Sequence, residues 1–271
     1  MALDLPPDHG PARDEAILAY IRAGAYTADL RPVATTCNGK TVTLYVFGDA
    51  LKIEGVRVNV SAKLQQTIAD MLGCSLMTPK VADLAWAKRS VTLIPYPRPI
   101  TSSTTAMIAH SADIDKALAK HDLSGVPLVQ TVGKHWVIDN DLQVKTGRAE
   151  NYGWHFVGPN FQGLKGEPVA SLQKDVSGQY QRLIQGRGWA HDIEHVDYSQ
   201  VCVLMSQMCE VDGQNVELRD LLTDPVLSIV ASHQGMMRVF RQPGVAVTPL
   251  HEFLMPTIEI TGGGASAVNI S

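Results

Sequence analysis

The 271-residue chain carries a formal charge of −4, and its 23 basic side chains are scattered among 27 acidic ones. That balance excludes an electrostatic grip on nucleic acid or on an anionic membrane surface. With 45% hydrophobic and 18% charged residues the composition is that of a globular chain, and no apolar run reaches the ~20 residues that cross a bilayer.

Residues 1–12 hold three prolines and no hydrophobic period, so they read as a flexible tail. The opening MALDLPPDHG lacks the basic start and apolar stretch of a secretory signal. DEAILAYIRAG, residues 14–24, reads as a short helix stopped by Gly24. In PVATTCNGKTVTLYVFG the pair Asn38-Gly39 separates two alternating runs, a hairpin signal. Val42, Leu44, Val46 and Ile53 then form the buried face. Ser61 caps a helix running through Gly73, with Leu64, Ile68 and Leu72 on one stripe. Thr78-Pro79 starts another, whose core face is Val81, Leu84, Ala85 and the stem of Lys88. Cys74 falls in the tight connection between them.

IPYPRPITSSTT, residues 94–105, is an extended surface loop, and Ser111 is read as the cap of a helix through Lys120. Strands dominate from Val126: VPLVQTV, KHWVID and ENYGWHFVG, then a hairpin turning at Asp212-Gly213. DLLTDPVLSIVASHQG adds helical turns, and residues 263–271 form a second flexible tail. The expected fold is α+β, a mostly antiparallel sheet with helices segregated in the N-terminal half and a short C-terminal helical segment. It fills one domain, 13–262, with a helical lobe at 61–120 and a β-rich lobe at 126–216. Cys37, Cys74, Cys202 and Cys209 make no CxxC pair, so neither a zinc knuckle nor a disulfide framework is indicated.

Three stretches carry chemistry. In GWAHDIEHVDYSQ, His191 and His195 stand four apart and Asp197 two beyond. HDIEH resembles the two-histidine zinc pattern, but glycines precede it and β-forming residues follow, so its helix is in doubt. A two-histidine, one-carboxylate site for zinc or iron and a polar strand end are both open readings. In NYGWHFVG, His155 is flanked by Tyr152, Trp154 and Phe156, either a base lining a cleft or a hydrogen-bonded core residue. Cys74 precedes the Thr78 cap by four residues, with Lys80 in the next helix's first turn. A helix N-terminus and a cation lower a thiol's pKa, whereas a buried thiol between helices is inert.

The order of Cys74, His135 and His155 resembles, in layout only, papain-like cell-wall amidases. A longer resemblance runs through CSLMTPKVADLAW, LIPYPRP, MIAH, YGWH and HxxxHxDYS, which together look like an uncharacterised family of mostly secreted microbial proteins. Its pattern maps to Thr78 and Lys80, to Gly153-Trp154-His155, and to His191 with Asp197-Tyr198-Ser199; His110 fits a further histidine. The chain departs from that pattern at His195, where the family has an aromatic residue, at His135, where it has an acid, and at GEPVASL, a faint echo of PIQPL. The resemblance implies secretion and no known reaction, and it shifts weight to His155, His191 and Asp197.

The leading expectation is a secreted hydrolase of an amide or ester bond in an extracellular polymer, peptidoglycan first. Cys74 attacks, His155 or His191 removes its proton, Asp197 orients the imidazole and Tyr198 or backbone amides hold the oxyanion. Lys80, Trp154, Trp189 and Ser199 would bind substrate, with no cofactor. The alternative is a zinc hydrolase using His155, His191 and Asp197, with His195 or His110 in reserve. A third reading is a non-enzymatic glycan- or protein-binding module with Tyr152, Trp154, Trp189 and Tyr198 as its face.

Overall fold

The computed structural model describes residues 3–125, 128–130, 132–157, 171–174, 180–251 and 254–258. The tail at 263–271, most of GEPVASL and parts of VPLVQTV lie outside them. Four helices come early: α1 (Pro11–Arg22), α2 (Ala62–Met71), α3 (Pro79–Ala87) and α4 (Thr104–Leu118); α5 (Leu218–Thr223) comes late. The strands are β1 (Tyr26–Thr27), β2 (Asp29–Cys37), β3 (Lys40–Phe47), β4 (Lys52–Ile53), β5 (Val56–Arg57), β6 (Cys74–Leu76) and β7 (Lys134–Val137). They continue with β8 (Glu150–His155), β9 (Ser171–Lys174), β10 (Tyr180–Gly188), β11 (Leu204–Ser206), β12 (Met208–Val211), β13 (Gln214–Glu217) and β14 (Thr257–Ile258). The fold is α+β with mostly antiparallel sheets.

The largest sheet is built around β3. Strand β2 pairs along its whole length, from Leu30 opposite Phe47 to Cys37 opposite Lys40. β12 and β11 divide the remaining edge, at Val42–Thr43 and at Val46, and they carry β13 and β6 outward. The turns come from local chemistry. Asn38-Gly39 and Asp212-Gly213 both adopt positive φ at two successive residues, which a two-residue hairpin matched to strand twist requires. The expected buried face is observed: Val42, Leu44, Val46 and Ile53 are at most 1% exposed. Each such side chain contributes roughly 1.5–3 kcal/mol of burial.

A second sheet, ordered β7-β8-β10-β9, carries the chemistry-bearing residues. Its β7 edge is tied to the first sheet through Met77, whose carbonyl accepts from the Ile138 N–H. Helix α3 packs on β8. That helix starts where expected, with the Thr78 hydroxyl accepting from the Val81 N–H and Pro79 at its first position. Ser61 caps α2 in the same way through Leu64.

Four local expectations differ. Helix α4 begins at Thr104 rather than after Ser111, because Ser103 caps it through the Ala106 N–H. The Ser111 hydroxyl is buried mid-helix and accepts instead from the Arg57 N–H. Residues 3–12 are not a free tail. Pro11 opens α1, the Pro6 and Pro7 carbonyls accept from Thr104, and Leu3 and Leu5 pack on the core. Cys74 opens strand β6 instead of lying in a turn. HDIEH forms neither helix nor strand but a bend, in which the His195 N–H donates to the Asp192 carbonyl.

Candidate active site around His155 and Asp83

Strand alternation places His135, Glu150 and Tyr152 on the face of β7–β8 that meets α3. Asp83 and Trp86, three apart on α3, are both buried there. His155 Nε2 lies 2.7 Å from Asp83 Oδ1, and the Tyr152 hydroxyl donates to the same oxygen at 2.6 Å. The Trp86 indole stacks on the His155 ring, with centroids 5.4 Å apart and planes 19° apart, and the Arg89 guanidinium lies over that indole. Tyr152 meets His155 edge-on. A carboxylate bonded to Nε2–H fixes the tautomer that leaves Nδ1 with its lone pair.

His135 stands beside this pair with its Nδ1 unpartnered, and burial together with His155 pushes its pKa down to about 3. Its ring needs Gly153. A Cβ there would come within 2.9 Å of His135 Cδ2, and φ is +102°, so a side chain would be strained as well as crowded. Farther along the same face one arginine serves three carboxylates. Arg187 contacts Asp139, Asp141 at 2.8 Å and Glu150 at 2.6 Å. A single cation cannot balance three carboxylates that share it. The proton belongs on Glu150, which is fully buried, and burial plus Asp141 push its pKa up to about 9. His233 is drawn down to about 4 by its burial and by Arg187, with Asp141, Asp83 and Lys80 also acting on it. Lys80, Asp141 and His233 are half-buried, so the cluster reaches solvent through them.

The other face of β7–β8 holds the second half of the expected site. Lys134 Nζ pairs with Asp197 Oδ2 at 2.5 Å, and Ser199 donates to Asp197 Oδ1 from both its N–H and its hydroxyl. Burial alone would raise the Asp197 pKa, but Lys134 and Ser199 outweigh it and hold the carboxylate low. His191 and His195 stack in parallel, centroids 3.8 Å apart, and the His191 ring meets the edge of Trp136. Both titrate below the usual range, mainly through burial. His110 is buried edge-on between Trp154 and Tyr198, and the Tyr198 hydroxyl accepts from the Arg98 N–H. Half-buried Trp189 lies under Lys145 and Arg187.

The expected residues therefore divide between two places. The GWH and DYS segments do meet, but through Trp154 and Tyr198, whose rings are 6.4 Å apart. Gly153 and Trp154 take positive φ values of 102° and 57°, so Trp154 leaves the face of Tyr152 that strand alternation would give it, and His155 joins Tyr152 there instead. His155 is joined to Asp83 and not to His191 or Asp197. The zinc set His155, His191 and Asp197 is thus not assembled, and neither His195 nor His110 completes it. Among the described residues no group of three histidine, cysteine or carboxylate side chains is placed to hold a metal ion.

Cys74 is apart from both clusters. Its thiol donates to the Leu72 carbonyl, is 1% exposed and is pushed far up in pKa by burial, the reverse of what a nucleophile needs. All four cysteines are free.

Sequence reasoning missed Asp83, Trp86, Glu150, Arg187 and His233. For Asp83 a signal existed. An aspartate one turn before a tryptophan, just after a capped start, is an odd choice for an exposed helix face. Comparison of the chain with models of known families, with curated proteins and with solved structures returns no match. Among the described residues no helix is long and apolar enough to cross a membrane.

Proposed function

We propose that this chain is a hydrolase in which His155, oriented by Asp83, is the general base for attack of water on an ester or amide carbonyl. One observation carries the reading: a buried carboxylate oxygen shared by the His155 Nε2–H and the Tyr152 hydroxyl. That arrangement holds the imidazole in one tautomer and stabilises the imidazolium that forms. Water adds to the carbonyl carbon, its proton passes to His155 Nδ1, and the same proton then leaves with the amine or alcohol. Water replaces Cys74 as nucleophile because the thiol lies elsewhere and is held protonated. Lys80 and His233, at the solvent end of the cluster, are the groups placed to meet substrate. A secreted setting enters the proposal from the family resemblance, and an extracellular polymer such as peptidoglycan is kept as the substrate class first expected from the sequence.

The test is turnover of a panel of simple esters, amides and purified peptidoglycan. His155→Gln and Asp83→Asn should each lower kcat by about 10²–10⁴-fold, while His191→Ala leaves it unchanged. Full activity in a folded His155→Gln protein overturns the mechanism. The second reading, a binding module without turnover, draws on His155 being 1% exposed while an open cleft of about 370 Å³ lies elsewhere. Retention of the chain on a glycan or peptide with no product formed would support it.

A further inference from the structure

A cleft of about 370 Å³ opens between the C-terminal part of α2, the start of β6, the bend at 206–208 and α5. We propose that it binds a small molecule with an apolar body and a single carboxylate, gripped by Arg219. The inference is independent of the hydrolase reading, since neither His155 nor Asp83 lines this cleft.

Its size falls in the range of roughly 300–1,000 Å³ typical of ligand pockets. Much of the lining is apolar: Leu218, Leu222 and Cys74 are buried residues there, with Met208 and Phe240 partly buried. The polar groups of the floor are already engaged with one another. Gln66 donates to Asp70 and accepts from the Gln242 N–H, Asp70 also takes Arg241 and the Thr248 N–H, and Gln207 donates to the Cys74 carbonyl.

Arg219 differs. It is exposed at the rim, and among the described residues it pairs with no carboxylate. Its guanidinium lies 4.6 Å over the Phe240 ring. Stacking orients the planar group while leaving its N–H fork free, and that fork matches a carboxylate in bidentate geometry. Glu217, exposed at the same rim, repels a second negative charge and so disfavours phosphate and dicarboxylates.

Titration of the full chain with 3-phenylpropionate and with its uncharged amide, followed by NMR shifts and calorimetry, tests the assignment. Saturable binding of the acid is expected, with shifts at Leu218, Leu222 and Phe240, and about tenfold weaker binding of the amide. The exposed Arg219→Gln variant should bind acid and amide alike, at the amide's affinity. Absence of saturable binding at low millimolar acid, equal binding of acid and amide by the unmodified chain, or undiminished acid binding by Arg219→Gln would each overturn it.

Discussion

His155 and Asp83, 72 positions apart in sequence, meet through a 2.7 Å contact between Nε2 and Oδ1 inside the layer between α3 and β8. Both are buried, so the pair is stabilising only while it stays intact. Removing one partner strands the other's polar atoms in a low-dielectric site. Asp83→Ala should cost about 3 kcal/mol in urea unfolding, because His155 and Tyr152 lose a shared acceptor. Asp83→Asn keeps an acceptor and should cost less. A loss within experimental error for Asp83→Ala would show that the contact is incidental.

Gly153→Ala should be among the most damaging single-methyl additions in the protein. It joins an unfavourable φ to a 2.9 Å approach to His135, and about 2 kcal/mol or more is expected. Gly213→Ala is the control, since Gly213 also has a positive φ (+77°) but no atom within 4 Å of its Cβ position. It should cost about 1 kcal/mol. Equal losses in thermal melts would mean that His135 yields easily.

Glu150 holds a proton in the folded chain up to about pH 9, against an ordinary 4.5. A carboxyl whose folded pKa is raised loses stability as pH climbs from its unfolded value through that window. Glu150→Gln cannot ionise, so its stability relative to the unmodified protein should improve by about 4 kcal/mol between pH 5 and pH 8. A difference that does not change with pH would place the carboxylate as fully neutralised by Arg187.

In that Glu150→Gln background the opposite dependence becomes visible. His110 and His135 are buried with pKa values of about 4 and about 3, below the ordinary 6.5. Such groups favour folding fully above the unfolded pKa, and the benefit is lost as pH falls below it. Stability should drop by roughly 3 kcal/mol between pH 7 and pH 5. Urea midpoints across that range give the answer, and a flat profile would contradict the buried neutral state.

Thiol labelling separates the cysteines. Half-buried Cys37 should react with iodoacetamide in the native protein, while Cys74 and Cys202 stay unlabelled until denaturant is added. Peptide mapping by mass spectrometry reads the sites directly. Rapid native labelling of Cys74 would reopen the case for a thiol nucleophile.

Much of the fold was legible in the chain because its signals are local. Asn38-Gly39 and Asp212-Gly213 dictate their hairpins through backbone conformation alone, and Ser61 and Thr78 cap their helices within three residues. The α4 start was misread at Ser111 because the cap at Ser103 competes with it. Only the fold showed that Ser111 was taken up by Arg57. The site was less legible. GWH, His191 and DYS are conspicuous strings, yet nothing in their spacing states which face of a strand each ring takes. The positive φ at Gly153 and Trp154 decides that, sending Trp154 to Tyr198 and His155 to Asp83. The sequence by itself determined several hairpin turns and helix caps, the class of fold and a short roster of histidines. Tertiary structure alone decided that Asp83 is the partner of His155 and that Cys74 is not, because pairing across 72 residues depends on how α3 lies on β8 and leaves no local trace.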